Sequence, residues 1–98
     1  MKRVFREFIT DAGRDFLRKH YEKNTKDLLL KYMKNGGELY AAGGFVDDVI
    51  TGKSVRIEDG GYRDDQFEWS DQDTYHVEKY DAAVTDEFLE HVLQKMAS

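Results

Sequence analysis

The segment from residue 58 to residue 80 constrains the fold more than any other part of the chain, because it contains the only tryptophan and three of the six tyrosines. It begins with an aspartate and two adjacent glycines at residues 59–61, a pattern that predicts a turn. Residues 66–69 then alternate, so Phe67 and Trp69 share one strand face and Glu68 points to the other. We therefore expect Trp69 to lie in the core.

Two helices are predicted after this strand. Ser70 occupies the N-cap position of the first helix, residues 71–80, and Asp73 stands three residues later in the capping-box position. Thr85 is the N-cap candidate of the second helix, since acidic residues follow it at the positive end of the helix dipole. The apolar residues of that helix recur at helical spacing, which predicts one buried face. They are Phe88, Leu89, Val92, Leu93 and Met96.

The first third of the chain is also predicted to be helical, because its apolar residues recur at spacings of three and four. They are Val4, Phe5, Phe8, Ile9, Ala12, Phe16, Leu17 and Tyr21. Gly13 weakens this helix by about 1 kcal/mol relative to alanine, so the pattern allows a break nearby. A second helix is expected to begin at Asn24 or Thr25 and to end at Gly36.

Glycine marks the β region, since seven of the eight glycines lie at residues 36–61 and the helical periodicity is lost there. Short connections favour an antiparallel meander of three to four strands. The expected strands cover residues 39–42, 45–50, 54–58 and 66–69. The predicted fold class is therefore α+β, with N-terminal helices, a central three- to four-stranded antiparallel sheet and two C-terminal helices.

A chain of 98 residues is long enough for one hydrophobic core and is expected to form a single domain over residues 1–98. The expected core residues are Phe8, Phe16, Leu17, Leu28, Leu29, Trp69, Tyr80, Phe88, Leu89 and Val92. Cysteine is absent, which excludes disulfides and thiolate chemistry. The charged start lacks the apolar core of a signal peptide, and no run approaches the roughly 18 apolar residues of a membrane span. We expect a cytoplasmic protein with no cofactor and no membrane contact.

Charge is distributed unevenly along the chain. Residues 1–35 contain ten Lys or Arg and five Asp or Glu, a balance of +5, whereas residues 58–90 contain two basic and twelve acidic residues, a balance of −10. Such asymmetry is typical of a protein that binds a partner of opposite charge. Two alternatives remain open: the halves screen each other inside one chain, or they meet between two copies in a homo-oligomer.

Motifs for common catalytic chemistry are missing. The serines, at positions 54, 70 and 98, do not occur in a nucleophile-elbow motif. Residues 71–82 fail as a calcium loop, because His76 stands where the loop needs glycine and Ala82 where it needs glutamate. Glu87 and His91 are one helical turn apart, a spacing more typical of a solvated pair than of a metal site. We expect neither a metal site nor catalysis.

Nucleic-acid binding is not expected either, because its usual signature is a basic domain and this chain has a net charge of −5. The glycine pairs do not open a helix followed by Lys-Ser or Lys-Thr, so a phosphate-binding loop is not predicted. An alternative function remains: a small enzyme or ligand-binding domain with a carboxylate-lined cleft. Its candidate residues are Asp47, Asp48, Asp64 and Asp65.

A longer pattern resembles small uncharacterised bacterial proteins, some of which are suspected to be immunity-type proteins that neutralise toxins. The matching residues are residues 28–36, Asp47 and Asp48 with residues 51–53, and later residues 59–60, Trp69, Tyr75, residues 78–80 and residues 87–91. The similarity covers about residues 28–92. The resemblance implies binding to a toxin and carries no catalytic residues.

The leading hypothesis is a non-enzymatic protein that binds a basic partner protein through an acidic, aromatic-rich surface. Carboxylates on a rigid strand-to-helix corner increase the association rate and the specificity for such a partner. The aromatic anchors would be Tyr62 or Tyr75. The carboxylates expected to form one exposed patch are Asp64, Asp65, Glu68, Asp71 and Asp73.

Overall fold

The computed structural model describes residues 1–97, and in this part of the chain four α-helices accompany one mixed four-stranded sheet. In chain order the elements are β1 (Lys2–Arg3), α1 (Ile9–Ala12), a 3-10 helix (Gly13–Asp15), α2 (Lys23–Asn35), β2 (Glu38–Asp48), β3 (Lys53–Arg63), β4 (Phe67–Ser70), α3 (Asp71–Tyr80) and α4 (Asp86–Met96). This is an α+β fold, and both predicted C-terminal helices are confirmed.

The sheet has the strand order β1-β4-β3-β2. Strands β2, β3 and β4 are antiparallel neighbours, as predicted. The sheet as a whole is mixed rather than antiparallel, because β1 runs parallel to β4 with Lys2 opposite Phe67. The backbone N–H of Lys2 donates to the carbonyl oxygen of Gln66 at 3.0 Å, so the chain start extends the sheet instead of beginning a helix.

The predicted turn at residues 59–61 is wrong, because these residues lie inside β3. Neighbouring side chains leave little room for a Cβ at Gly60. A Cβ on Gly60 would lie 3.0 Å from Cδ1 of Leu39, 3.1 Å from the hydroxyl of Tyr62 and 3.2 Å from Oδ2 of Asp71. The two strands predicted at residues 39–42 and 45–50 are a single strand, β2, whose pairing with β3 shifts register three times.

The prediction of a long N-terminal helix over residues 4–21 is also wrong, since in that range only Ile9–Ala12 is α-helical. Gly13 follows with a φ of 62°, a conformation that ends the helix and that glycine adopts at little cost. Instead of forming helical hydrogen bonds, backbone carbonyls of the N-terminal segment accept hydrogen bonds from the segment before α4. Thr85 N–H donates to the carbonyl of Val4 at 2.8 Å, and Ala83 N–H donates to that of Leu17 at 2.9 Å.

The core is built by aromatic and aliphatic side chains from the helices, β4 and the N-terminal segment. Of the predicted core residues, Phe16, Leu29, Trp69, Phe88 and Val92 are buried, and Tyr80 and Leu89 pack against them. Phe8, Leu17 and Leu28 are 42%, 65% and 36% exposed, because the irregular N-terminal backbone and the real orientation of α2 turn them outward. The indole Nε1 of Trp69 donates to the carbonyl of Met33 at 2.9 Å.

Candidate functional site

Ion pairs between the two charged halves account for part of the sequence asymmetry. Four lysines near the N-terminus pair with carboxylates of residues 78–87. The pairs are Lys2–Glu87, Lys19–Asp86 at 3.7 Å, Lys26–Asp81 at 2.7 Å and Lys34–Glu78 at 2.7 Å. The halves therefore screen each other within one chain around α3 and α4.

Asp64 was predicted to lie in an exposed patch, and this is wrong. Its side chain is only 7% exposed, Oδ2 accepts from the hydroxyl of Tyr32, and His91 Nε2 lies 2.7 Å from the same oxygen. Oδ1 accepts the backbone N–H groups of Gln66 and Phe67, both at 2.8 Å. Burial raises the pKa of Asp64, but these hydrogen bonds outweigh it and lower the pKa to about 2. Asp64 therefore joins β4 to α2 and α4.

Asp73 was also expected to be exposed, and it is buried at 4% exposure. It completes the predicted capping box, since Ser70 N–H donates to Oδ2 of Asp73 at 3.0 Å. Burial raises its pKa to about 7, helped by the nearby charge of Asp59 and opposed by the hydrogen bonds from Ser70. Asp73 is a helix cap, and it is not available to a partner.

The other predicted site residues lie in different surroundings. Asp65 is exposed and pairs with Lys95 at 3.3 Å. Glu68 is half-buried, 3.5 Å from the hydroxyl of Tyr40. Tyr75 is half-buried, and its hydroxyl donates to Asp48 at 2.7 Å, so it is a structural contact rather than a free aromatic anchor.

Asp71 and Tyr62 do lie together, at the junction of β3 with α3. Oδ2 of Asp71 accepts the backbone N–H of Gly60 at 3.0 Å and the hydroxyl of Tyr62 at 3.4 Å. Asp59 adjoins them, because its Oδ1 accepts the backbone N–H of Gln72 at 2.9 Å. The predicted site residues therefore do not form one patch. Of these residues, Asp71 and Tyr62 are the acidic and aromatic pair that lie together, at this junction.

Sequence reasoning missed the apolar half of this surface. Leu39 reaches the same point, as the close approach of its Cδ1 to Gly60 shows, and Phe45 lies opposite Glu58 in the β2–β3 pair. Leu39 and Phe45 are 56% and 58% exposed. We call Leu39, Phe45, Glu58, Asp59 and Asp71 the ribbon surface. The sequence signal that could have identified this apolar surface is the segment of residues 39–46, which contains neither a charged residue nor a proline.

β2 is an edge strand within the part of the chain that the structure describes. At its C-terminal end the backbone is covered by α3: the side-chain amide of Gln72 donates to the carbonyl of Asp47 at 2.6 Å and accepts its N–H at 2.8 Å. Edge strands are usually protected by charged residues such as lysine, by proline, by β-bulges or by a covering element, because their free N–H and C=O groups pair readily with other chains. No such charge or proline protects residues 39–46.

The alternative carboxylate-lined cleft has little geometric support. Asp48 is buried and accepts from the hydroxyls of Tyr75 and Tyr80 at 2.7 and 2.6 Å and from the backbone N–H groups of residues 50 and 51. These hydrogen bonds outweigh burial and lower its pKa. Asp48 and Asp64 thus belong to separate networks. A cavity of about 670 Å³ lies elsewhere, between the N-terminal segment and the start of α4, and is lined by residues such as Phe5, Ile9, Phe16 and Val84.

One cluster in the described residues has the composition of a metal site. Ligand atoms of Asp64, Asp65 and His91 lie within 4.8 Å of one another. Each is already engaged, since Asp64 and His91 contact each other at 2.7 Å and Asp65 pairs with Lys95. A cation would have to replace these contacts, so the cluster fits a network of polar contacts between side chains better than a metal centre.

Comparisons with protein-family models, curated proteins and solved structures gave no match for this chain. Among residues 1–97, none of the helices has the length and apolar character needed to cross a membrane.

Proposed function

We propose that this protein is a non-enzymatic binding protein that captures a basic partner protein on the ribbon surface. The single observation that carries the proposal is the meeting of two exposed apolar side chains with one exposed and two half-buried carboxylates beside the free edge of the sheet. Leu39 and Phe45 supply apolar contact area. Glu58, Asp59 and Asp71 supply the negative charge that steers and orients a basic partner.

The charge of the ribbon surface is not balanced inside the chain. Among the described residues, Glu58, Asp59 and Asp71 have no Lys, Arg or His nitrogen within 4.0 Å, unlike the carboxylates of residues 78–87. Burial raises the pKa of Asp59, and the neighbouring charges of Asp71 and Asp47 add to this effect. A cationic group from a partner would reduce the repulsion between these neighbouring carboxylates. Their closeness therefore favours binding of a basic partner.

The resemblance to immunity-type proteins is consistent with this class of partner. We propose that the basic partner is a toxin and that binding neutralises it. Action in the cytoplasm is part of the same proposal, because a chain without cysteine needs no oxidising compartment to fold. The enzyme alternative is less well supported, since Asp48 and Asp64 are held in separate hydrogen-bond networks.

The test is capture of a partner by tagged protein from its native host at low and high salt, followed by binding measurements with the purified partner. The ribbon variant carries Leu39→Ser, Phe45→Ser and Glu58→Gln. A matched control carries Leu17→Ser, Phe8→Ser and Glu90→Gln, which change the same residue types at exposed positions elsewhere. The melting temperatures of both variants are measured first.

We expect capture of one basic protein, and we expect salt to weaken this binding because Glu58 is exposed and Asp59 and Asp71 are only half-buried. The ribbon variant should lose this binding by about tenfold or more while remaining folded, and the control should retain it. Equal binding by the ribbon variant and the native protein would refute the proposal. So would a captured partner that is acidic or that binds independently of salt.

A further inference from the structure

We infer that the partner supplies an extended basic segment that pairs with the free edge of β2 as an additional strand. This inference rests on the proposed function and specifies how the partner is held. Main-chain hydrogen bonds would provide affinity, and alternate side chains of the added strand would provide specificity. The edge available is the part of β2 before Gly44, whose φ of 70° interrupts the extended backbone.

The free edge of β2 is accessible from both faces of the sheet. Residues 38–45 are all exposed, and in the part of the chain that the structure describes β2 has β3 as its sole strand neighbour. Asp47 and Val49, by contrast, have their backbone N–H groups bound by side chains of α3, from Gln72 at 2.8 Å and His76 at 3.1 Å. α3 thus covers the end of β2 and leaves its beginning uncovered, where a short added strand fits.

The two faces beside this edge carry different charges. Leu39 lies on the face where Asp71 and Tyr62 meet at Gly60. Tyr40 lies on the opposite face, over Gly61, where the guanidinium of Arg63 is 5.1 Å from its ring and a carboxylate oxygen of Glu68 is 3.5 Å from its hydroxyl, so these two opposite charges offset each other. Because side chains alternate along a strand, we expect a segment with a basic residue at every second position, placed on the Leu39 face, and uncharged residues between them on the Tyr40 face.

A second copy of this chain fits the edge less well. It would bring its own Glu38, Glu58 and Asp59 towards the same residues, and each chain has a net charge of −5. Like charges placed across an interface oppose association. The charge around β2 therefore favours a basic segment over self-pairing, and the two occupants are separated by experiment.

The probe is a synthetic peptide of about ten residues, close to the length of a long strand, with lysine and threonine in alternation. Two further peptides serve as comparisons: one with the same composition but the lysines in a single block, and one with the alternating sequence in which alternate backbone amides are N-methylated. Affinity for the native protein is measured by fluorescence anisotropy at low salt. Amide hydrogen exchange of residues 38–43 is followed by NMR with and without peptide, and sedimentation reports the oligomeric state.

We expect the alternating peptide to bind about tenfold or more tightly than both comparison peptides, since methylation removes main-chain donors and the block misplaces the charges. Exchange at several amides of residues 38–43 should slow by about tenfold or more on binding. Equal binding of the methylated peptide, or protection confined to other elements, would overturn strand addition. If the methylated peptide binds the native protein as tightly as the alternating peptide but does not bind the ribbon variant, the proposed function stands and the inference of strand addition fails.

Absence of binding by all three peptides overturns strand addition by basic segments. The proposed function is then judged separately, from the captured partner and the ribbon variant. A dimer of the protein alone with residues 38–43 protected from exchange would also overturn the inference, because the edge would already be occupied by a second copy.

Discussion

The carboxylate of Asp64 on the β3–β4 connection contacts the imidazole of His91 on α4, with 2.7 Å between Oδ2 and Nε2. The same carboxylate accepts the hydroxyl of Tyr32 on α2 and two backbone N–H groups at the start of β4. One buried side chain therefore holds a connecting loop, two helices and a strand in position. It is a structural carboxylate, although its sequence neighbours suggested a surface site.

Replacing Asp64 by alanine is expected to destabilise the fold strongly. The variant leaves the donors of Tyr32, Gln66 and Phe67 without their acceptor, and removal of one partner from a buried ionic network costs about 3–5 kcal/mol. The free energy of unfolding is measured by urea titration. Asp65→Ala is the matched control, since Asp65 is exposed and its loss should change stability by about 0.5 kcal/mol or less. Similar stabilities for the two variants would contradict the structural role of Asp64.

Asp73 should make stability fall as the pH rises from about 4 to about 7. Burial raises its folded pKa to about 7 from the ordinary 3.8, so in this range the folded protein holds a proton that the unfolded chain has lost. The folded state binds more protons, and its stability decreases with pH by at most about 4 kcal/mol from this group. Asp48 and Asp64 act in the opposite direction, because their lowered pKa values remove stability only below about pH 4.

The measurement is the difference in unfolding free energy between the native protein and Asp73→Asn at several pH values. Asparagine can still accept the Ser70 N–H but does not titrate, so the stability of the native protein relative to the variant should decline from pH 4 to pH 7. A difference that stays constant from pH 4 to pH 7 would contradict the raised pKa of the buried Asp73 carboxyl.

Truncation of Trp69 should unfold or nearly unfold the domain. The side chain is 3% exposed, packs against Tyr32 and Phe88 and donates to the carbonyl of Met33. Trp69→Ala should cost about 3–5 kcal/mol as a large core truncation, most of the stability of a small domain. Phe45→Ala removes an exposed aromatic from the same sheet and should change stability by about 0.5 kcal/mol or less. Urea titration of both variants makes the comparison, and a mild Trp69 variant would place the core elsewhere.

Divalent metals should not alter stability. The ligand atoms of Asp64, Asp65 and His91 are engaged with each other and with neighbouring groups, so a cation gains no vacant set of ligands. A ligand that binds only the folded state must raise the melting temperature. We expect no change on adding calcium, magnesium, zinc or a chelator. A rise of several degrees with zinc that disappears in His91→Ala would identify a metal site at this cluster.

The sequence by itself determined the elements whose signals lie within a few residues of one another. The alternation around Trp69, the capping box of Ser70 and Asp73 and the N-cap at Thr85 were all predicted and confirmed. Each depends on contacts between residues at most four positions apart, so the local order of residue types is sufficient. The apolar spacing near the N-terminus likewise identified buried residues such as Phe16.

Tertiary structure alone decided whether that N-terminal spacing became a helix and whether each carboxylate faced solvent. Val4 and Leu17 bind backbone groups near residue 84, and a short isolated helix interrupted by Gly13 is too weak to compete with such pairing. Asp64 is buried by contacts with Tyr32 and His91, which are 32 and 27 positions away in the sequence. The ribbon surface likewise exists because β2 and β3 bring Leu39 and Phe45 beside Glu58 and Gly60. Distant contacts of this kind are set by the packing of whole elements, which a local residue pattern does not specify.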